Sequence, residues 1–162
     1  MSKKKICVLG GGAWGKNHIK TLDKLGALGA IVEKDGDLLS KFKKQYPYVE
    51  TFKSLDDSLE RDFDGYIIAT PAATHFKLAK EISNNKKDLL VEKPLTLSIK
   101  ESEILVKLAK EKDVNLMVGH VLLFHPAIIK IKELIDLGKI GKLQYIKLSL
   151  IYISEPTRRT PI

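Results

Sequence analysis

The sequence predicts an α/β fold, a doubly wound and mostly parallel sheet, and three observations predict it. Short apolar runs alternate with helix-period segments along most of the chain, most of those runs are apolar at every position, and the links between them are short. A continuously apolar run suits a strand covered on both faces, as the strands of a parallel sheet are.

The runs, in order, are ICVL (6–9), AIV (30–32), YVETF (48–52), GYIIAT (65–70), DLLV (88–91) and NLMVG (115–119). Between them, Ser54-Leu55-Asp56-Asp57 begins a short helix carrying Leu55 and Leu59. From His75, the residues Leu78, Ala79 and Ile82 share one face until Asn84-Asn85 breaks the pattern. Ser98-Ile99-Lys100-Glu101 matches a capping box, and Ile104, Leu105, Leu108 and Ala109 then fall together on a helix. Strand, helix and strand in repetition imply right-handed crossovers between parallel strands.

After Gly119 the rhythm changes. His125-Pro126 opens a helix with proline at its first position and His125 as a capping residue; Ile128, Ile129, Ile131, Leu134 and Ile135 supply its apolar face, and Gly138 ends it. Apolar Ile146, Leu148, Leu150 and Tyr152 then alternate with Tyr145, Lys147 and Ser149, which predicts a strand over 143–152 belonging to a different, antiparallel sheet. The expected organisation is a first α/β domain over 1–120, the start of a second α+β domain over 121–152 and a tail over 153–162.

Composition narrows the function classes. The 162 residues, 44% of them hydrophobic, suffice for one domain with a proper core. The single cysteine, Cys7, excludes an intrachain disulfide and sits in an apolar run as a small buried residue would. No apolar run nears the roughly 20 residues of a membrane span, so the expected setting is cytoplasmic, with no membrane partner. Five of the eight net positive charges come from Lys3, Lys4, Lys5, Arg158 and Arg159, and elsewhere lysines alternate with acids as on solvated helix faces. That distribution argues against specific nucleic-acid binding.

Gly10, Gly12 and Gly15 fit G-x-G-x-x-G between a strand and a helix, the context in which that motif cradles a dinucleotide pyrophosphate. The first glycine permits the tight turn, the second lets phosphate approach backbone, and the third brings helix close to strand. Ala13 and Trp14 complete the loop; Trp14 either covers the cofactor or packs on the sheet edge. Glu33, 23 positions after Gly10 at the end of the second run, is placed to accept hydrogen bonds from an adenosine ribose. Its charge would repel a 2′-phosphate and so favours NAD, while Lys34 beside it softens the preference and leaves NADP open. S-adenosylmethionine enzymes also use glycine-rich first turns, so the motif alone does not settle the cofactor.

Further motifs follow: Val91-Glu92-Lys93-Pro94 after the fifth run, ATPAATH (69–75) and GKIG (138–141). Together with GGGAWG they resemble, collinearly over about residues 4–150, the Gfo/Idh/MocA family of NAD(P)-dependent sugar and polyol dehydrogenases. Within it, VGHVLLFHPA leading to IKELIDLGKIGKLQYI is most similar to the branch that oxidises sugar nucleotides at C3, such as UDP-N-acetylglucosamine and UDP-N-acetylglucosaminuronate dehydrogenases.

The resemblance implies that Lys93 is the catalytic lysine, hydrogen-bonding the substrate hydroxyl as base or relay. Glu92 would orient it or contact the nicotinamide ribose, and Pro94 would supply a cis peptide. Thr70, Pro71 and Thr74, on the loop after the fourth run, would touch the cofactor. His120 would reach substrate or nicotinamide, or be a structural histidine. His18 and His75 read as ordinary helix positions, and no cluster has metal-ligand spacing.

The resemblance also implies a chain more than twice this long, a sugar-binding second domain and a homo-oligomer when complete. The expectation is therefore a truncated chain, inactive alone, whose residues 153–162 are not native family sequence. The alternative reading is a non-catalytic, stand-alone dinucleotide-binding module.

Overall fold

The computed structural model describes residues 4–147, and the chain divides into two compact units between His120 and Val121. In the first, all six predicted strands are present: β1 (Ile6–Leu9), β2 (Leu28–Val32), β3 (Glu50–Phe52), β4 (Gly65–Ile68), β5 (Asp88–Val91) and β6 (Leu116–Val118). They pair in parallel throughout, in the order β3-β2-β1-β4-β5-β6. Five helices connect them: α1 (Ala13–Leu25), α2 (Gly36–Gln45), α3 (Leu55–Leu59), α4 (His75–Asn84) and α5 (Ile99–Lys112). The chain winds outward from β1 to β3 and restarts at β4 on the other side of β1, so the winding reverses between β1 and β4. That reversal opens a crevice at the carboxyl ends of the two strands.

Strand alternation divides the core. Cys7, Leu9, Val32, Tyr66, Ile68 and Val91 point to the face covered by Ala79 and Ile82 of α4 and Leu105 of α5. The intervening Val8, Ile31 and Ile67 point to the opposite face, against Ile19 of α1 and Phe42 of α2. A continuously apolar strand is thus two half-strands, each serving its own helix layer.

Caps set where the helices start. Asp35 accepts hydrogen bonds from the backbone N–H groups of Asp37 and Leu38 to begin α2, and Ser54 accepts from Asp57 to begin α3. The capping box expected at Ser98 is not formed: α5 begins at Ile99, but the Ser98 side chain makes no cap bond. Instead the Thr96 hydroxyl donates to the Ser98 carbonyl at 2.6 Å and lies 2.8 Å from the Ser102 hydroxyl, which orders the entry from outside the helix. The buried stripe of α5 is also narrower than expected. Leu105 and Ala109 are buried, whereas Ile104, about 100° round the helix from Leu105, is 47% exposed.

In the second unit, α6 (Pro126–Asp136) starts as predicted, the His125 Nδ1 accepting from the Ala127 N–H at 3.2 Å. Of the strand expected over 143–152, residues 143–147 pair with no segment among the described residues. Residues 148–152 of that expected strand, and the tail over 153–162, lie outside the described residues. Among the described residues no helix is long and apolar enough to cross a membrane.

Two measurements test this packing. Burial pushes the Cys7 thiol up to about 12 and the Tyr66 phenol up to about 12 from ordinary values of 9.0 and 10.0. The folded state therefore holds protons that the unfolded chain releases, so stability is complete below about pH 9 and falls as pH rises from there toward 12. Urea midpoints that stay level between pH 8.5 and 11 would contradict this, as would rapid labelling of Cys7 by a thiol reagent at pH 8 without denaturant. Separately, Gly15→Ala should lower stability by at least about 2 kcal/mol, a typical cost of overpacking against an unyielding neighbour. An unchanged urea midpoint would show that α1 can move away from the sheet.

Candidate functional site

The loop from β1 into α1 is shaped by what it excludes. Gly10 has φ of +89°, and a Cβ there would lie 2.7 Å from the Ala69 carbonyl oxygen. A Cβ at Gly15 would overlap the Gly10 carbonyl oxygen, so α1 reaches the turn only because this position is bare. Gly11, outside the predicted motif positions, proves equally constrained: a Cβ there would overlap the Phe42 ring, and its N–H donates to the Glu33 Oε2 at 2.7 Å. Gly12 is different. A Cβ at that position would meet nothing within 4 Å.

Gly12 is also the N-cap of the 13-residue helix α1, which has no side-chain cap and no acid in its first turn. The first N–H groups of a helix lack intrahelical partners and carry partial positive charge. Here they open onto a cavity of about 750 Å³ at the β1–β4 reversal. The uncapped helix end and the open space at Gly12 fit a pyrophosphate.

Most of the predicted binding residues line this cavity. Gly10, Gly12, Ala13 and Trp14 form the glycine-rich side, Glu33 and Lys34 come from the end of β2, and Thr70, Pro71 and Thr74 come from the loop after β4. Gly15 lies behind the loop as packing. Trp14 is half exposed at the cavity edge. The Thr70 and Thr74 hydroxyls lie 2.7 Å apart, and Thr74 also donates to the Pro71 carbonyl at 2.7 Å, so the loop is braced from within.

Glu33 is held before any ligand arrives. Its Oε2 accepts from the Gly11 N–H and its Oε1 accepts from the Asp35 N–H at 3.1 Å. Beyond it the cavity takes residues that sequence reasoning missed: Lys53 and Asp56 around the start of α3, and Lys77 and Glu81 on α4. The Glu81 carboxyl is held above its usual range by burial, and by its hydrogen-bonded neighbour Asp56, while Lys77 opposes the shift. These positions carry no motif; only the strand ends converging on one edge bring them together.

The Glu92-Lys93-Pro94 segment leaves the end of β5, with a cis peptide between Lys93 and Pro94. Glu92, Lys93 and His120 do not line the cavity directly, but the Lys93 Nζ lies 5.9 Å from the centroid of the Trp14 ring, which does. Glu92 is nearly buried, with its carboxylate packed beneath Gly119. Its Oε1 lies 2.7 Å from the His18 Nε2, and its Oε2 accepts from the Lys93 N–H at 3.2 Å. His120, exposed after β6, donates its backbone N–H to the Val118 carbonyl at 2.7 Å.

His18 and His75 are more than the helix positions they resemble in sequence. The His75 ring, 1% exposed, places Nδ1 2.8 Å from the Pro94 carbonyl oxygen and Nε2 2.9 Å from the Thr70 carbonyl oxygen. Both partners only accept, so a neutral ring donates to one of them and a doubly protonated ring to both. Among the described residues no group of three His, Cys, Asp or Glu side chains could hold a metal.

Similar proteins share this arrangement of chain. The scyllo-inositol 2-dehydrogenase (NAD(+)) of Bacillus subtilis is 43% identical over 84 residues, covering 52% of this chain and 25% of the relative. The UDP-N-acetylglucosamine 3-dehydrogenase of Acidithiobacillus ferrooxidans is 28% identical over 126 residues, covering 78% of this chain and 40% of the relative. The chain thus spans between a quarter and two fifths of the length of these two curated relatives.

Among solved structures, the scyllo-inositol dehydrogenase of Lactobacillus casei with bound NAD(H) and scyllo-inositol superposes with a TM-score of 0.80 at 27% identity, covering 86% of this chain and 43% of that one. The WlbA dehydrogenase of Bordetella pertussis, in complex with NADH and UDP-GlcNAcA, gives 0.81 at 25% identity over 86% of this chain and 44% of that one. Residues 4–120, the span that holds the whole sheet and its glycine-rich turn, match the Gfo/Idh/MocA model, described as an oxidoreductase family with an NAD-binding Rossmann fold. With more than two thirds of its residues inside that match, the chain belongs to the Gfo/Idh/MocA family of oxidoreductases with an NAD-binding Rossmann fold.

Proposed function

We propose that this chain is the cofactor-binding part of an NAD-dependent dehydrogenase acting on a secondary hydroxyl of a sugar or sugar nucleotide. The observation that carries the reading is the uncapped N-terminus of α1 at Gly12, open to the cavity at the β1–β4 reversal, with the Glu92-Lys93-Pro94 segment beside it. In this reading residues 1–120 hold the dinucleotide and 121–152 begin the substrate-binding part. A stand-alone sensing module is not favoured, because the similar proteins with named activities are dehydrogenases.

The N–H groups at the start of α1 hold the pyrophosphate, the bare Gly12 admits it, and the Glu33 carboxylate faces the adenosine ribose. Ala13, Trp14, Thr70, Pro71 and Thr74 line its path, and Lys34 lies at the ribose end. A dinucleotide held there would supply a nicotinamide as acceptor for the hydride leaving the carbon that bears the hydroxyl. As the carbonyl forms, the hydroxyl proton has to leave, and Lys93 Nζ is the group that hydrogen-bonds the hydroxyl, acting as base in its neutral amine form or as part of a proton relay. Glu92, with both oxygens engaged by His18 and the Lys93 N–H, acts by orienting the lysine rather than by binding ribose. His120 stands after β6 as a second group for substrate or nicotinamide.

The branch that oxidises sugar nucleotides at C3 is the finer assignment. It draws support from the similarity to the UDP-N-acetylglucosamine 3-dehydrogenase and to the dehydrogenase that holds UDP-GlcNAcA. The inositol dehydrogenases among the similar proteins keep a free polyol in view.

Titration of the purified chain with NADH, followed by cofactor fluorescence, tests the reading. Saturable binding is expected for the native sequence. Gly12→Val should abolish it while leaving the chain folded, since a Cβ there meets no protein atom within 4 Å but stands in the phosphate approach. Binding that survives in Gly12→Val would remove the pyrophosphate from that helix end.

The carboxylate of Glu33 should make NADH bind at least about tenfold more tightly than NADPH, a difference of about 1.4 kcal/mol. Glu33→Gln should narrow the gap by removing the charge that opposes a 2′-phosphate. Equal affinities in the native chain would assign nucleotide choice to Lys34 and its neighbours instead.

A further inference from the structure

Lys93 is gripped through both of its neighbours in sequence, each time by a histidine from a different helix. On one side is Glu92. Its carboxylate is confined beneath Gly119, where a Cβ would lie 3.1 Å away, and its two oxygens are taken by the His18 Nε2 at 2.7 Å and the Lys93 N–H at 3.2 Å. On the other side is Pro94. Its carbonyl lies 2.8 Å from the buried His75 Nδ1, whose ring reaches the Thr70 carbonyl at 2.9 Å with its other nitrogen.

His18 belongs to α1, the helix that also carries Trp14, and His75 opens α4 behind the loop of Thr70 and Thr74. The segment after β5 is therefore registered to both walls of the cavity at once. The Lys93 side chain itself is exposed, with its ammonium 5.9 Å from the Trp14 ring centroid. A four-carbon stem rising from a loose loop would sweep a wide volume. Rising from a loop held on both sides, it is restricted to the space in front of Trp14.

We propose that His18 and His75 are positioning residues for Lys93, His18 acting through the Glu92 carboxylate and His75 through the Pro94 carbonyl. The proposal rests on the reading of Lys93 as the group that meets the substrate hydroxyl. A reactive group misplaced by about 1 Å costs on the order of a hundredfold in rate, so a segment that leaves a strand end needs bracing of this kind. Neither histidine touches the cavity. Each works through a neighbour of Lys93, which separates them from the residues that line the site.

The experiment reads where the Lys93 side chain lies. Trp14 is the sole tryptophan in the sequence, and its ring current displaces the ε-methylene NMR signal of a lysine resting over it. In the full chain labelled with ¹³C and ¹⁵N, that signal is assigned by its loss in Lys93→Arg, and its undisplaced position is given by Trp14→Leu. His18→Leu and His75→Leu should each lose at least half of the displacement. His18→Gln and His75→Gln, whose amides still donate to a carboxylate or a carbonyl, should keep most of it.

Full displacement in both folded leucine variants would overturn the proposal, as would glutamine variants that lose as much as the leucine ones, the result for histidines that merely fill space. His18 is partly exposed, so its variants decide the matter if His75→Leu does not fold. An NADH titration of the native chain accompanies the series. Failure there would overturn the cofactor reading while leaving the displacement comparison intact, so the two failures are told apart.

Discussion

The turn from β1 into α1 admits no side chain at three of its four glycines, and the rest of the molecule is arranged around that restriction. Gly15 lets the first turn of α1 rest on the Gly10 carbonyl, Gly10 turns beside Ala69 of the neighbouring strand end, and Gly11 lies under Phe42 of α2. These close approaches bring α1, α2 and the end of β4 together at the middle of the sheet, where the winding reverses. Because backbone meets backbone there, the N–H groups of α1 come to the cavity surface instead of beneath a layer of side chains. Gly12 is the exception that gives the restriction its use: it is the one glycine of the four with empty space where its side chain would be.

The electrostatics of the cavity follow from how its carboxylates are held. Glu33 spends both oxygens on backbone N–H groups of its own chain, so it stands in a fixed place beside the glycine-rich loop. Backbone donors around a carboxylate keep its charge where it is and limit the freedom of the side chain. At the far wall, Asp56 and Glu81 crowd one another, and Glu81 is pushed toward its neutral form. Lys34, Lys53 and Lys77 stand among these acids, so the lining carries mixed charge instead of one broad positive field.

Lys93 illustrates a different physical problem, that of placing a flexible cation at a strand end. The sheet holds β5 only as far as Val91. Beyond it, Glu92 turns into the protein beneath Gly119, and the chain is fastened by side chains from α1 and α4. The same two helices present Trp14 and the loop of Thr70 to the cavity, so the lysine and the lining residues share supports. Movement of either helix would be felt at both.

The sequence by itself determined the sheet, the order of its elements and the glycine-rich turn, because those are written in local periods: continuous apolar runs for doubly covered strands, 3.6-residue stripes for helices, and glycines where a strand meets a helix. It also placed Glu33 and Lys93 just beyond strand ends, each where a motif marks it. Tertiary structure alone decided what depends on residues far apart in the chain. His18 and Glu92 are 74 positions apart, and His75 and Pro94 are 19 apart. A helical histidine has the same local pattern whether it faces solvent or a carboxylate.

Two expectations missed for different reasons. Ser98 satisfied a local capping pattern but makes no cap bond, the nearby Thr96 hydroxyl bonding its carbonyl instead, whereas Ile104 fell on a stripe whose width is set by the neighbouring elements.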